Sequence, residues 1–214
     1  MASAIVVGEG KLAAVMTKML CSCGTPVALY GAEKSTRETV KSMLQEHIEE
    51  SFPLQFIDDL RHQQEMLSRV FGNLRMTDDV SRLFGEVIVD ATKGHNSALL
   101  RAVRRFVPDA VVMNLDGAVN DEKTVGVHVY EPFEVTRIMQ IVPSPATDSA
   151  SMARVRSLLK NAHIVELDRK QGDLAERALD AWRNEGSVAR RLLTVMDTIV
   201  PSRMLIDRNN AIMH

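Results

Sequence analysis

Four apolar residues, Ala4-Ile5-Val6-Val7, run directly into Gly8-Glu9-Gly10. Leu12, Ala13, Val15, Met16, Met19 and Leu20 then recur at helical spacing, and after Gly24-Thr25-Pro26 a second apolar run follows, Val27-Ala28-Leu29-Tyr30. Two short apolar runs joined by a helix of this length predict a βαβ unit. Its strands must be parallel and its crossover right-handed. This opening commits the chain to a parallel sheet before the rest of the sequence is considered.

The later sequence continues the alternation. Residues from about 33 to 73 are predicted helical, with Val40, Met43, Leu44 and Ile48 on one face. The pattern breaks at Ser51-Phe52-Pro53 and resumes through Leu60, Met66, Leu67, Val70 and Phe71. Strands are predicted at Glu86–Ala91, Ala110–Asn114, Gly126–Tyr130, Arg137–Val142 and His163–Leu167. Helices are predicted at Asn96–Phe106 and at about Ser149–Lys160, the second capped by Asp148 or Ser149. The expected class is α/β: a Rossmann-type doubly wound, mainly parallel sheet over residues 1–168, with a helical insertion at about 33–73. Residues 169–214 form a helical C-terminal appendage in this reading. Leu174, Ala175, Ala178, Leu179 and Trp182 mark one amphipathic helix, and Val188, Leu192, Leu193, Met196 and Ile199 mark another. Their apolar faces suit packing on the sheet domain, on a second copy of the chain or on another protein.

Composition narrows the function. A net charge of -2 lacks the basic excess of a nucleic-acid or anionic-membrane binder, so no nucleic acid is expected as a partner. No apolar run approaches the roughly 20 residues of a membrane span. The first strand begins almost at Met1, so no signal or transit segment is expected. A cytoplasmic address is the default, with a mitochondrial one left open. Cys21 and Cys23 read as reduced core thiols, and with no third Cys or His close in sequence no metal site is expected.

Gly8-Glu9-Gly10-Lys11-Leu12-Ala13 matches the dinucleotide fingerprint GxGxxA. Gly8 permits the tight turn, Gly10 lets the backbone approach a pyrophosphate, and Ala13 lets the helix pack on the sheet. A working NAD site also has Asp or Glu at the end of the second strand to bind the ribose hydroxyls. Here that strand runs into Gly31. With the carboxylate gone, Lys34 and Arg37 offer cations for the 2′-phosphate of NADP; otherwise the loop is a solvated helix start that binds no dinucleotide. NAD, NADP and no cofactor all stay open.

The segment Val125-Gly126-Val127-His128-Val129-Tyr130-Glu131-Pro132 places one imidazole at the end of a strand, which makes His128 the first candidate for a general base. The plainer alternative is a strand histidine packed beside Tyr130. With the fingerprint loop, the helical insertion and the strand ending in Asn114, this segment and Met139-Gln140-Ile141-Val142 resemble the GLHFFNP…MxLVEV stretch of the L-3-hydroxyacyl-CoA dehydrogenases. The resemblance covers residues 1–168, the NAD-binding domain of that family.

The resemblance implies that His128 takes the proton of a substrate hydroxyl while hydride passes to NAD. A Glu twelve positions on would hold and charge the imidazole. This chain has Gln140 there, and a neutral amide can bond a ring nitrogen but cannot stabilise an imidazolium as a carboxylate does. In Met113-Asn114-Leu115-Asp116-Gly117, similar to the family's SNTSS, Asn114 is retained. The substrate-contacting Ser position carries Asp116, whose charge opposes an enolate-like oxygen. The acid of the family's EAVPE falls on Gly94, and Arg190 stands where PGFxxNR has its Asn. Losing an orienting or charge-stabilising group commonly costs about a hundredfold in rate, so several losses at one site predict a catalytically degenerate relative kept for binding or assembly. The alternative is an active NAD(P)-dependent oxidoreductase on an acyl-CoA-like substrate, with His128 as base and a rewired partner in Glu131, Glu134 or Asp116.

Overall fold

The computed structural model describes residues 3–51, 57–92, 97–119, 121–130, 133, 137–142, 144–162 and 164–167. The chain divides into two units, Met1–Glu166 and Leu167–His214. The two tail helices and Arg190 lie outside the described residues, as do Gly94, Glu131 and Glu134.

The described residues form an eight-stranded sheet. Its strands are β1 (Ala4–Val7), β2 (Val27–Tyr30), β3 (Leu74–Thr77), β4 (Val87–Asp90), β5 (Val111–Asn114), β6 (Thr124–Val129), β7 (Ile138–Val142) and β8 (Val165–Leu167). Their spatial order is β3-β2-β1-β4-β5-β6-β7-β8. From β3 to β6 every neighbouring pair is parallel, and β7 runs antiparallel to β6. The order reverses at β1, so the crevice beside its carboxyl end is where ligands of open α/β sheets bind. β3 was not anticipated. Leu-Arg-Met-Thr is short and alternating, and only its place at the edge beside β2 identifies it as a strand.

The helices are α1 (Gly10–Ser22), α2 (Lys34–Ser51), α3 (Ile57–Gly72), α4 (Ser97–Phe106) and α5 (Ser149–Asn161). Strand side chains alternate between two cores. Val6, Leu29, Val89, Met113 and Val127 pack with Ala13 and Met16 of α1, Val40 and Leu44 of α2, Val70 of α3 and Leu158 of α5. Val7, Ala28, Tyr30, Ile88 and Val112 pack on the other side with Val103 of α4. Both faces are thus buried, which is why the central strands read as continuous apolar runs rather than as alternating ones.

Local chemistry ends the helices where the sequence predicts. Gly24 adopts φ 78° after α1, and the Cys23 and Thr25 N–H groups return to the carbonyls of Met19 and Leu20. Asp148 caps α5 by accepting from the Ser151 N–H at 2.5 Å. Burial pushes the Cys21 thiol up to about 12, leaving it an inert core group. Among the described residues no helix is long and apolar enough to cross a membrane.

Candidate functional site

At the carboxyl edge of the sheet one row of paired residues runs Thr77, Tyr30, Val7, Asp90, Asn114, Gly126 and Val142. The loops that leave this row carry the candidate residues, and they fall into two groups.

The first group surrounds the fingerprint loop. Gly8 has φ 132°, and a β-carbon on it would stand 2.8 Å from the carbonyl carbon of Ala91, so the β1 turn and the end of β4 meet backbone to backbone. Gly10 has φ 79° and would direct a β-carbon into open space, with nothing within 4 Å. Glu9, at the N-cap of α1, makes no side-chain cap. Ala13 is fully buried against the sheet. These features fit a backbone cradle for a pyrophosphate at a helix N-terminus. One donor of that cradle is already engaged, because the Gly10 N–H donates to Thr36 Oγ1 at 2.9 Å. Thr36 is itself buried.

The ribose end fits less well. Gly31 has φ 67°, and a β-carbon there would lie 2.7 Å from Cδ2 of Leu99, whose side chain reaches across from α4. An apolar methyl group therefore lies against the place a β-carbon at position 31 would take. Lys34 lies 3.7 Å from Glu38 and stands in solvent, its side chain 91% exposed. Arg37 is turned inward, donating from Nε to the Ala32 carbonyl at 2.8 Å and pairing with Asp78. Neither cation is held ready for a 2′-phosphate. Asp90, buried at the end of β4, accepts from the N–H and hydroxyl of Thr92 at 3.0 and 2.7 Å. Its carboxylate closes a local turn.

The second group lies at β5, β6 and β7. β6 continues past its last pairing with β5, at Asn114 and Gly126, so that His128 stands about 7 Å beyond the sheet edge. Across the β6–β7 pair His128 is the direct partner of Gln140. Cross-strand partners share a face with β-carbons about 5 Å apart. The imidazole meets the ring of Tyr130 edge to face, with centroids 4.8 Å apart and planes at 82°. The Tyr130 hydroxyl donates to Gln140 Oε1 at 2.8 Å, and Tyr130 is buried.

Asn114 and Asp116 belong to the same group. Asn114 is buried, and its Oδ1 accepts from the Asp116 N–H at 2.8 Å. Asp116 bridges to His128 through the backbone. The turn sits so close over β6 that a β-carbon at Gly126 would collide with the Gly117 backbone and come within 3.0 Å of Val119. At the foot of β6, Asp121 accepts from the Lys123 N–H at 3.0 Å and the Thr124 hydroxyl at 2.8 Å, and pairs with Arg104 at 2.6 Å. Burial alone would raise its carboxyl, but Arg104, Thr124 and the Lys123 N–H together hold it below the usual carboxylate range.

The fold thus gathers His128, Gln140, Asn114 and Asp116 at one corner, and Gly8, Gly10, Ala13 and Gly31 around the switch point of the sheet. Lys34 joins neither. The residues that sequence reasoning passed over are Thr36, Leu99 and Gly126. No local signal marks the first two, since Thr36 reaches Gly10 across 26 positions. A glycine inside a strand does signal close backbone approach, and Gly126 was legible on that ground.

No family model matches the chain, and no curated protein matches it. Solved structures do. FadB2 of M. tuberculosis is 17% identical, with 86% of this chain covering 71% of that one at a TM-score of 0.64. The dehydrogenase part of multifunctional enzyme 1 from C. elegans is 16% identical, covers 86% of this chain and 45% of its own, and has a TM-score of 0.64. The 3-hydroxybutyryl-CoA dehydrogenase of Escherichia coli is 15% identical over 84% of this chain and 43% of its own, at 0.62. At these identities the likeness is one of fold. The chain spans less than half the length of the second and third structures.

Proposed function

We propose that this chain, whose fold is that of the 3-hydroxyacyl-CoA dehydrogenase structures, is a catalytically degenerate relative kept for binding or assembly. The observation that carries the reading is at the end of β2, where Gly31 stands in a left-handed conformation with Leu99 against it. A ribose there meets a methyl group and no carboxylate. Gly10 adds to this, since its N–H would have to leave Thr36 before it served a phosphate. At the other corner the group opposite His128 is an amide whose oxygen is engaged by Tyr130, so no carboxylate on β7 stands ready to charge the imidazole.

Fluorescence titration of the full chain with NADH and NADPH, paired with an assay of acetoacetyl-CoA reduction, tests the reading. Binding of neither nucleotide at submillimolar concentration, with no turnover, is the expected result. Tight binding of either accompanied by turnover overturns it. The apolar faces predicted for Asp168–His214 supply the assembly surface in this reading, for a protein partner or a second copy.

A second reading keeps catalysis, with His128 as general base on a 3-hydroxyacyl-CoA-like substrate and NAD or NADP as hydride acceptor. The open space beside Gly10 supports it, as does the grouping of Asn114 and Asp116 beside His128. The same titration separates the two.

A further inference from the structure

The geometry points to a binding site at the opposite edge of the sheet: the cavity over the amino ends of β4 and β5 holds a free amino acid with an apolar side chain, its ammonium on Glu86 and its carboxylate on Arg154. This site does not depend on whether a dinucleotide binds at the carboxyl edge.

The cavity has a volume of about 490 Å³ and is lined by Glu86 just before β4, by Phe106 at the end of α4, by the turn Val107, Pro108 and Asp109, and by Arg154 of α5. Small-molecule sites run from roughly 300 to 1,000 Å³, so an amino acid fits with room to spare. Its walls are tied to the sheet. The Val111 N–H donates to the Glu86 carbonyl at 2.9 Å, and the Ala110 N–H closes the turn on the Val107 carbonyl at 3.2 Å. Arg154 Nη1 donates to the Asp109 carbonyl at 3.1 Å. α4 packs on one face of the sheet and α5 on the other, so the site bridges two helices across the strand ends.

Three charged groups besides Glu86 bear on the cavity, and two of them satisfy each other. Lys123 Nζ lies 3.4 Å from Asp109 Oδ1 and also donates to the Pro108 carbonyl, which neutralises that pair at the rim. Glu86 is exposed, and its carboxylate has no side-chain partner among the described residues. Arg154 spends one donor on a neutral carbonyl and makes no ion pair with Glu86 among those residues. A guanidinium carries five N–H donors in a planar fork, so enough remain to take a carboxylate by two of them. The cavity therefore offers one unpaired carboxylate and one unpaired guanidinium that do not quench each other.

The apolar wall completes the match. Among the described residues the exposed large apolar side chains are Leu60, Phe84 and Phe106, and two of these belong to this place: Phe106, 53% exposed, lines the cavity, and Phe84 directly precedes Gly85 of its lining. Phenylalanine rings left half bare forgo the stabilisation that burial brings, and such places mark binding surfaces. An anion would meet Arg154 but be repelled by Glu86, and a cation the reverse. A zwitterion with an apolar side chain satisfies both charges and covers the ring.

Amide proton–nitrogen spectra of the full chain, titrated with L-phenylalanine, test the assignment. L-phenylalanine should shift the amides of Glu86, Val107 and Asp109 saturably, with a dissociation constant on the order of 1 mM. Its methyl ester lacks the carboxylate and its N-acetyl derivative lacks the ammonium, and each should bind about tenfold more weakly or worse. Glu86→Gln and Arg154→Met change exposed side chains, so the fold should hold, and each should weaken L-phenylalanine by a similar factor. No saturable shift at tens of millimolar overturns the proposal. So does equal binding of all three compounds, or an affinity unchanged in both variants.

Discussion

The backbone of Gly117 lies directly against the α-carbon of Gly126. A β-carbon at Gly126 would overlap the Gly117 carbonyl oxygen and stand 2.9 Å from its carbon. The contact is between main chains, so no rotamer relieves it. It presses the Asn114–Gly117 turn onto β6 and thereby sets Asp116 beside His128.

Gly126→Ala is therefore expected to cost about 2 kcal/mol or more, at the upper end of ordinary overpacking because backbone must move. Urea unfolding of wild type and variant measures it. A loss below about 0.5 kcal/mol would mean that the turn yields freely and does not define the corner.

Restoring a ribose carboxylate requires two changes. Gly31→Asp alone places a side chain at φ 67° and drives it into Leu99, so it should destabilise by about 1 kcal/mol and leave NADH affinity unchanged. Gly31→Asp with Leu99→Ala removes the obstacle. That pair should raise NADH affinity about tenfold, the value of one hydrogen bond to a charged group. Calorimetric titration of both variants checks the order of effects, and an equal gain from Gly31→Asp alone would contradict it.

Thr36→Val deletes the acceptor that holds the Gly10 N–H. Stability should fall by about 1 kcal/mol for the lost bond. In the background of the Gly31 and Leu99 changes the released N–H should tighten NADH binding further. Weaker binding would show that Thr36 shapes the loop for the nucleotide.

Asp121 makes a prediction in pH. Its carboxyl is held below the usual range in the folded chain, so its contribution is present above the unfolded value, near pH 4, and is lost as pH falls through the lower folded one. Asp121→Asn should cost about 0.5 to 1 kcal/mol at neutral pH, a figure kept small because the pair with Arg104 is about one-third exposed. The gap between wild type and variant should close in acid, as wild type itself becomes neutral. Thermal unfolding at pH 7 and pH 3 reads both values, and a gap that widens in acid would contradict the sign.

Much of the architecture was legible along the chain. Apolar runs such as Ile5–Val7 and Val111–Met113 are buried on both faces, so their composition alone declares a parallel sheet. Gly24 and Asp148 mark helix ends because their conformational freedom and side-chain oxygen act within one turn. Leu74–Thr77 was not legible, since an edge strand of four residues draws its identity from its neighbour β2.

The βαβ opening, the doubly wound class and the spacing that carries the family resemblance can be read along the chain, because they depend on local periodicity and on residues near in the chain. Folding adds that Leu99 lies against Gly31, that Thr36 takes the Gly10 N–H, and that the Tyr130 hydroxyl donates to Gln140 across the ladder from His128. Each of these is a contact between elements, set by strand order and register. A hydrogen bond or a methyl group a few ångströms away leaves no periodic trace in the sequence. It is made when the sheet brings the carboxyl ends of its strands to a common edge.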